Sequence, residues 1–174
     1  SARSLGITPH LLDVRRPEMP LLRKRRPLPG AYGVTLWPPY VLIAAGTDGV
    51  QVVSMDGHGE VYQSGVARYA ARLAVTDTHA FVADTRGGLQ ILDLAQPTQP
   101  RLLTRLDNIG TIVDVVVDGA FAYLANNQQG SGLAVVDIRE PAAPRVVAQY
   151  RHESTIDVVV WDGVALVGDV AGVL

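Results

Sequence analysis

The chain has 174 residues, 48% of them apolar, and a formal net charge of −2. It is long enough for one domain with a sizeable core and too apolar for a disordered chain. The absence of cysteine excludes disulfides, thiolate-bound zinc and thiol catalysis, and no apolar run is long enough to cross a bilayer as a helix.

Residues 11–14 read as a short strand, the third of a blade. Pro17 and Pro20 then bracket a rigid corner, because proline fixes φ and cannot donate to a ladder. A second strand over 21–26 runs into the basic cluster Arg23-Lys24-Arg25-Arg26. Residues 1–30 hold seven Lys/Arg to two Asp/Glu, whereas residues 31–174 hold eight to fifteen, so the small net charge hides a basic start and an acidic remainder. Trp37-Pro38-Pro39-Tyr40 is a turn, followed by strands over 40–45 and 50–53 separated by Thr47-Asp48-Gly49. A Gly57-His58-Gly59 turn leads to a strand over 60–63.

The next stretch is more regular. Strands over 73–76 and 80–83, the turn Arg86-Gly87-Gly88, a strand over 89–94, the Pro97/Pro100 corner and a strand over 101–106 follow in order. The sequence then repeats itself. A β-branched run over 112–117 ends in Asp118-Gly119, and 120–125 carries Phe121 and Tyr123 two apart, on one strand face. The polar loop 126–132, a strand over 133–138, the Pro141/Pro144 corner and a strand over 145–150 complete the unit. A strand over 165–168 and a turn over 169–172 follow, and Val173-Leu174 match the start of a third strand, the place held by Leu89 and Leu133. No segment shows helical periodicity with caps, so the fold class is all-β.

One motif recurs in register: apolar-x-apolar-apolar-Asp, then Pro four residues on and Pro three further. Asp13, Asp93 and Asp137 anchor it, with a degenerate copy at Ser54 that lacks both prolines, and the anchors lie 41, 39 and 44 residues apart. Four short strands in a period of about 40–45 residues make a β-propeller blade of four antiparallel strands. The division is a blade remnant over 5–30, blades over 31–70, 71–108 and 109–152, and a partial blade over 153–174, about four blade equivalents in all. Because the last copy stops inside its motif, the reading is an arc of a larger propeller. The alternative is a closed ring of four, in which the first two strands complete the last blade.

The segments HLLDVRRPEMP (10–20), LQILDLAQPTQP (89–100) and LAVVDIREPAAP (133–144), with AFVAD (80–84) and AFAYLAN (120–126), resemble the LVIVD-repeat family. The likeness runs from about residue 5 to the end. It implies a β-propeller and, commonly, export to the cell envelope or exterior, which gives an extracytoplasmic expectation. It implies no defined activity and no catalytic residues. Ser54 and the missing prolines depart from the family pattern in the first blade.

Three groups of residues are candidates for function. Counting back from the aromatic or leucine on each second strand places Arg72, Asp114 and Asp157 at equivalent positions of the innermost strands, where a channel mouth would bind a ligand or ion. The competing reading pairs these acids with a neighbouring blade's backbone or with Arg72. Arg23, Lys24, Arg25 and Arg26 lie on an outermost strand, where charge guards an edge from pairing, or else meet an acidic partner or anionic surface. With no interleaved aromatics, nucleic acid is not expected. Trp37 and Tyr40 form an aromatic recognition surface, or a turn packed on the next blade. The repeated aspartates read as hydrogen-bond acceptors at their own corners. His10, His58, His79 and His152 have no ligand spacing, and no nucleophile elbow or phosphate loop appears, so no metal, cofactor or catalytic residue is expected. The expected function is a non-catalytic propeller that serves as a protein-interaction or structural module, with a protein partner. The alternative is a ligand- or ion-binding propeller subunit of an enzyme or electron-transfer complex.

Overall fold

The computed structural model describes residues 10–25, 30–55, 62–64, 67–152 and 154–169. Among them every regular element is a strand. The pair β1 (His10–Asp13) and β2 (Leu21–Arg25) forms a sheet of its own. Three four-stranded antiparallel sheets follow, each with its strands in sequential order. The first holds β3 (Gly33–Trp37), β4 (Tyr40–Ala44), β5 (Val50–Ser54) and β6 (Tyr62–Ser64). The second holds β7 (Ala70–Val75), β8 (His79–Asp84), β9 (Gly88–Asp93) and β10 (Arg101–Leu106). The third holds β11 (Ile112–Asp118), β12 (Phe121–Asn126), β13 (Gly132–Asp137) and β14 (Arg145–Tyr150). A last pair, β15 (Thr155–Trp161) and β16 (Val164–Asp169), is a second two-stranded sheet. The chain is therefore an all-β succession of propeller blades. The expected strand at 60–63 is found as Tyr62–Ser64; the Gly57-His58-Gly59 turn lies outside the described residues.

Burial follows from position in the blade. The two middle strands of a blade are sandwiched between neighbours and are apolar on both faces, so they read as continuous runs rather than alternations. β8 and β9 bury nearly every residue, while β10 alternates and β14 is exposed along its length. The core lies between blades rather than within them. Leu42, Val50 and Val52 of the first meet Leu73, Val82 and Leu92 of the second. Phe81, Leu89 and Ile91 of the second meet Ile112, Leu124 and Val136 of the third. Ala125 and Leu133 of the third meet Val158 of β15. Each fully buried large side chain contributes about 1.5–3 kcal/mol, so the inter-blade layers carry most of the stability.

The innermost strands β3, β7, β11 and β15 touch in succession. Three of them carry the same irregularity: pairing slips between Ala70 and Arg72, Ile112 and Asp114, and Thr155 and Asp157. A bulge re-aims the residue that follows it, and here that residue is Arg72, Asp114 or Asp157. β3 pairs with β4 without a slip.

The Asp-Pro corner is built the same way three times. Asp13, Asp93 and Asp137 each accept a hydrogen bond from the backbone N–H two residues on, at 3.1, 2.8 and 3.0 Å. A second turn closes behind it, Met19 N–H to Arg16, Gln99 N–H to Gln96 and Ala143 N–H to Glu140. Arg15 and Arg139 add ion pairs to Asp13 and Asp137. The Arg139 hydrogen bonds hold the Asp137 carboxyl down at about 2. These acids are corner acceptors.

Candidate functional site

The start of strand one, the end of strand two and the start of strand three of each blade lie at one rim, because successive strands run antiparallel. This rim carries the residues with the most unusual surroundings.

Asp114 and Asp157 come from adjacent blades and meet. The Val158 N–H donates to Asp114 Oδ2 and to Asp157 Oδ1, both at 3.1 Å. Asp114 is buried, Asp157 exposed. Burial is the main reason the Asp114 carboxyl is held above its ordinary range, and the neighbouring Asp157 carboxyl adds to it. Two acids so placed favour holding one proton, or a cation, between them.

Arg72 turns the other way. Its guanidinium donates to the Tyr32 carbonyl and, at 3.3 Å, to that of Ala71. Gly33 at the equivalent position of β3 makes room, since a Cβ there would stand 3.3 Å from Arg72 Cδ. Thus the three inner-strand candidates divide: the acids form a pair, and Arg72 is tied to the preceding blade. Among the described residues no ion pair joins Arg72 to either acid.

Asp84, at the end of β8, organises the rim of the second blade, a role that the sequence reading did not give it. It is fully buried and accepts from the backbone N–H groups of Arg68 (2.6 Å), Tyr69 (2.9 Å) and Arg86 (2.9 Å), and from the Gln90 amide. Asn126 does related work one blade on, donating to the Ile109 carbonyl and accepting from Gln128 N–H at 3.0 Å. Asp169 takes the same place on β16, where it pairs with His152 at 2.9 Å. The signal in the sequence was Asp84, Asn126 and Asp169 at spacings of 42 and 43 residues.

Above these anchors, between the second and third blades, lies an open hollow of about 610 Å³ lined by Arg68, Arg86, Asp107, Asn108, Thr111 and Gln128 among others. Its lining is polar, and Arg86 also lies over the Tyr69 ring at 5.4 Å. No group of three or more His, Asp or Glu among the described residues is arranged to hold a metal ion.

Trp37 and Tyr40 stack at 5.8 Å around the Pro38–Pro39 turn, both half-buried against the layer between the first two blades. The Trp37 indole N–H reaches the Asp77 carbonyl of the second blade at 3.3 Å. Arg23, Lys24 and Arg25 belong to β2, and Arg26 lies outside the described residues.

The model of the LVIVD repeat matches residues 67–108 and 109–152, the second and third blades with their entering loops. The chain is an LVIVD-repeat protein. No curated protein matches its sequence significantly. Among solved structures it is similar to the computationally designed Ika4 protein (12% identity, 83% of this chain and 88% of that one, TM-score 0.66). It is also similar to the computationally designed Ika8 protein (12% identity, TM-score 0.67), covering 84% of this chain and 44% of that one. A chain from a nidogen/laminin complex is similar too (14% identity, TM-score 0.63), over 84% of this LVIVD protein and 60% of that chain. At such identities the likeness establishes the shared fold.

Proposed function

We propose that this LVIVD propeller is a non-catalytic module that binds a protein partner through its loop-bearing rim, outside the cytoplasm. The observation that carries this reading is how the rim's polar groups are used. Asp84, Asn126 and Arg72 are bound to backbone groups of their own or adjacent blades, which stiffens the loops they hold. What stands outward is an open polar surface with two arginines, Arg68 and Arg86, both exposed. Rigid strands that present variable polar loops suit recognition of another protein's surface. The similarity to a chain of a nidogen/laminin complex agrees with this, and the extracytoplasmic placement rests on the family likeness.

A photo-crosslinking residue at Gln128, introduced in the native host, tests the reading. A discrete protein adduct, lost on Arg68→Glu plus Arg86→Glu while the fold is retained, supports it. Absence of any adduct at Gln128 and at Asn108 overturns it. Fractionation of the host cells tests the placement: recovery with the cytoplasmic proteins overturns it.

A second reading, a ligand- or ion-binding propeller, is favoured by one observation, the Asp114–Asp157 pair. Calorimetric titration with calcium, magnesium and manganese tests it. Binding that Asp157→Asn abolishes supports it; no heat with any of the three overturns it.

A further inference from the structure

The two arginines of the hollow between the second and third blades are held in place. Asp84 accepts from the backbone N–H groups of both Arg68 and Arg86, so one fully buried carboxylate fixes the backbone beneath both. Their side chains are placed as well. The Arg86 guanidinium lies over the Tyr69 ring at 5.4 Å, and that ring packs at 5.2 Å on Tyr32, at the entry to β3. Arg68 Nη1 donates to the Arg86 carbonyl at 3.3 Å. Gly87, Gly88 and Gly110 line the hollow with bare backbone. Gly88, at a φ of 73°, has no room for a Cβ against the Leu106 carbonyl. A guanidinium resting on an aromatic face keeps its N–H groups at its edge, where they fit a planar carboxylate in a fork. Among the described residues the Arg86 guanidinium donates to no acceptor, and no carboxylate pairs with either arginine. Asp107 is the one acid among the described lining residues, so two arginines against one aspartate leave the hollow a single positive charge in excess.

We propose that this hollow takes one carboxylate side chain, an Asp or Glu on the surface of the partner protein, gripped by Arg86 and Arg68. This names the chemistry of the partner and rests on the rim being its docking surface. Three observations favour a protein acid over other anions. The hollow is open, so it suits a side chain carried in on a larger surface; a free small anion needs a site that encloses most of it. One positive charge in excess matches one carboxylate. Residues 31–174 hold fifteen Asp/Glu to eight Lys/Arg, a field that repels a polyanion such as nucleic acid or a sulfated polysaccharide and tolerates one locally compensated acid. The charge pair orients the encounter, and the fork selects a planar oxyanion.

The first test needs no knowledge of the partner. The 174-residue chain, isotope-labelled at its arginines, is titrated with the capped peptide acetyl-Gly-Glu-Gly-amide and with its Gln counterpart, each at millimolar concentration. The Arg86 Nε–H resonance should shift saturably with the Glu peptide alone, and added salt should weaken the binding. Arg86→Lys keeps the charge and removes the fork. The side chain is exposed, so circular dichroism should be unchanged while the Glu peptide binds several-fold more weakly. Equal shifts with both peptides, or no shift with either, overturn the proposal. So does an Arg86→Lys chain that binds as tightly as wild type, since any cation would then serve. So does inorganic phosphate that saturates the same resonances at lower concentration than the Glu peptide, which would make the hollow a phosphate site. Crosslinking in the native host separates this inference from the reading beneath it. An adduct at Gln128 whose partner peptide carries Asp or Glu beside the crosslink supports the assignment. An adduct whose partner peptide carries neither overturns the acid and leaves the partner-binding rim standing. No adduct at Gln128 or Asn108 overturns the rim, and with it this partner, even where the Glu peptide binds.

Discussion

Asp114 is the residue whose environment is most at odds with its charge, and the sign of its effect follows directly. Burial raises its folded carboxyl above the ordinary value of 3.8, with Asp157 adding to the effect. Below that ordinary value both states hold the proton, and the burial carries no penalty. As pH rises the unfolded chain releases its proton first, so stability falls until the folded carboxyl has ionised as well. Asp114→Asn keeps an acceptor oxygen for the Val158 N–H and removes the ionisation. It should raise the melting temperature at neutral pH by about 2–4 °C, the effect of ~1 kcal/mol in a chain of this size. The gain should shrink in mildly acidic buffer. A calorimetric series in which wild type and variant keep a constant offset across that range would refute the assignment. Asp84 should behave oppositely. Asp84→Ala strands three part-buried backbone N–H groups and the buried Gln90 amide, and each donor left without a partner or water costs about 1–3 kcal/mol. Asp84→Asn turns an NH₂ toward at least one of those donors and should fall between the two. Urea unfolding that ranks Asn as costly as Ala would show that the site collapses rather than discriminates. Recurrence in register identified Asp13, Asp93 and Asp137 from sequence, because one motif surrounds all three. It passed over Asp84 because the same place is filled by Asp, Asn and Asp in successive blades, and the role survives a change of residue.

At the scale of the element, strand order and corners were legible because three signals coincide: apolar runs of strand length, turn residues between them, and a period that repeats. β10 and β14 occupy the spans expected for them, 101–106 and 145–150. β7 begins at Ala70, three residues before the expected 73, because its first turn of pairing includes the bulge at Ala71, and a bulge breaks the alternation that marks a strand. For the same reason the sequence put Arg72 with the two acids. Position along the repeat was right for all three, but the direction in which a bulge throws each side chain is set by the neighbouring blade. Gly33 leaves space on one side of Arg72, and the Asp114–Asp157 pair lies between the next two blades. The layers between blades set the energetic scale. Phe81 is 1% exposed and joins the layer shared by the second and third blades. Phe81→Ala should cost about 3–5 kcal/mol, and because the layer is shared the two blades should lose stability together. Denaturation followed separately by near- and far-ultraviolet dichroism should remain a single transition. Two separated transitions would mean that the blades unfold independently.

For the whole molecule, the arrangement is an open row of blades in which each contacts only its neighbours, so local stability should vary with position along the row. The second and third blades have a packed neighbour on each side and contain the strands buried on both faces. β15–β16 is packed against the third blade through Val158, Val160 and Val167 but leaves Val159, Trp161, Val164 and Leu166 exposed. β1–β2 leaves Leu12, Leu21 and Leu22 exposed. Hydrogen exchange on a dilute sample should therefore protect β8, β9, β12 and β13 longest, with β1, β2 and β16 exchanging first. Uniform protection along the row would mean that the terminal sheets are as well held as the central ones, and that the exposed apolar faces of β15–β16 are covered in solution.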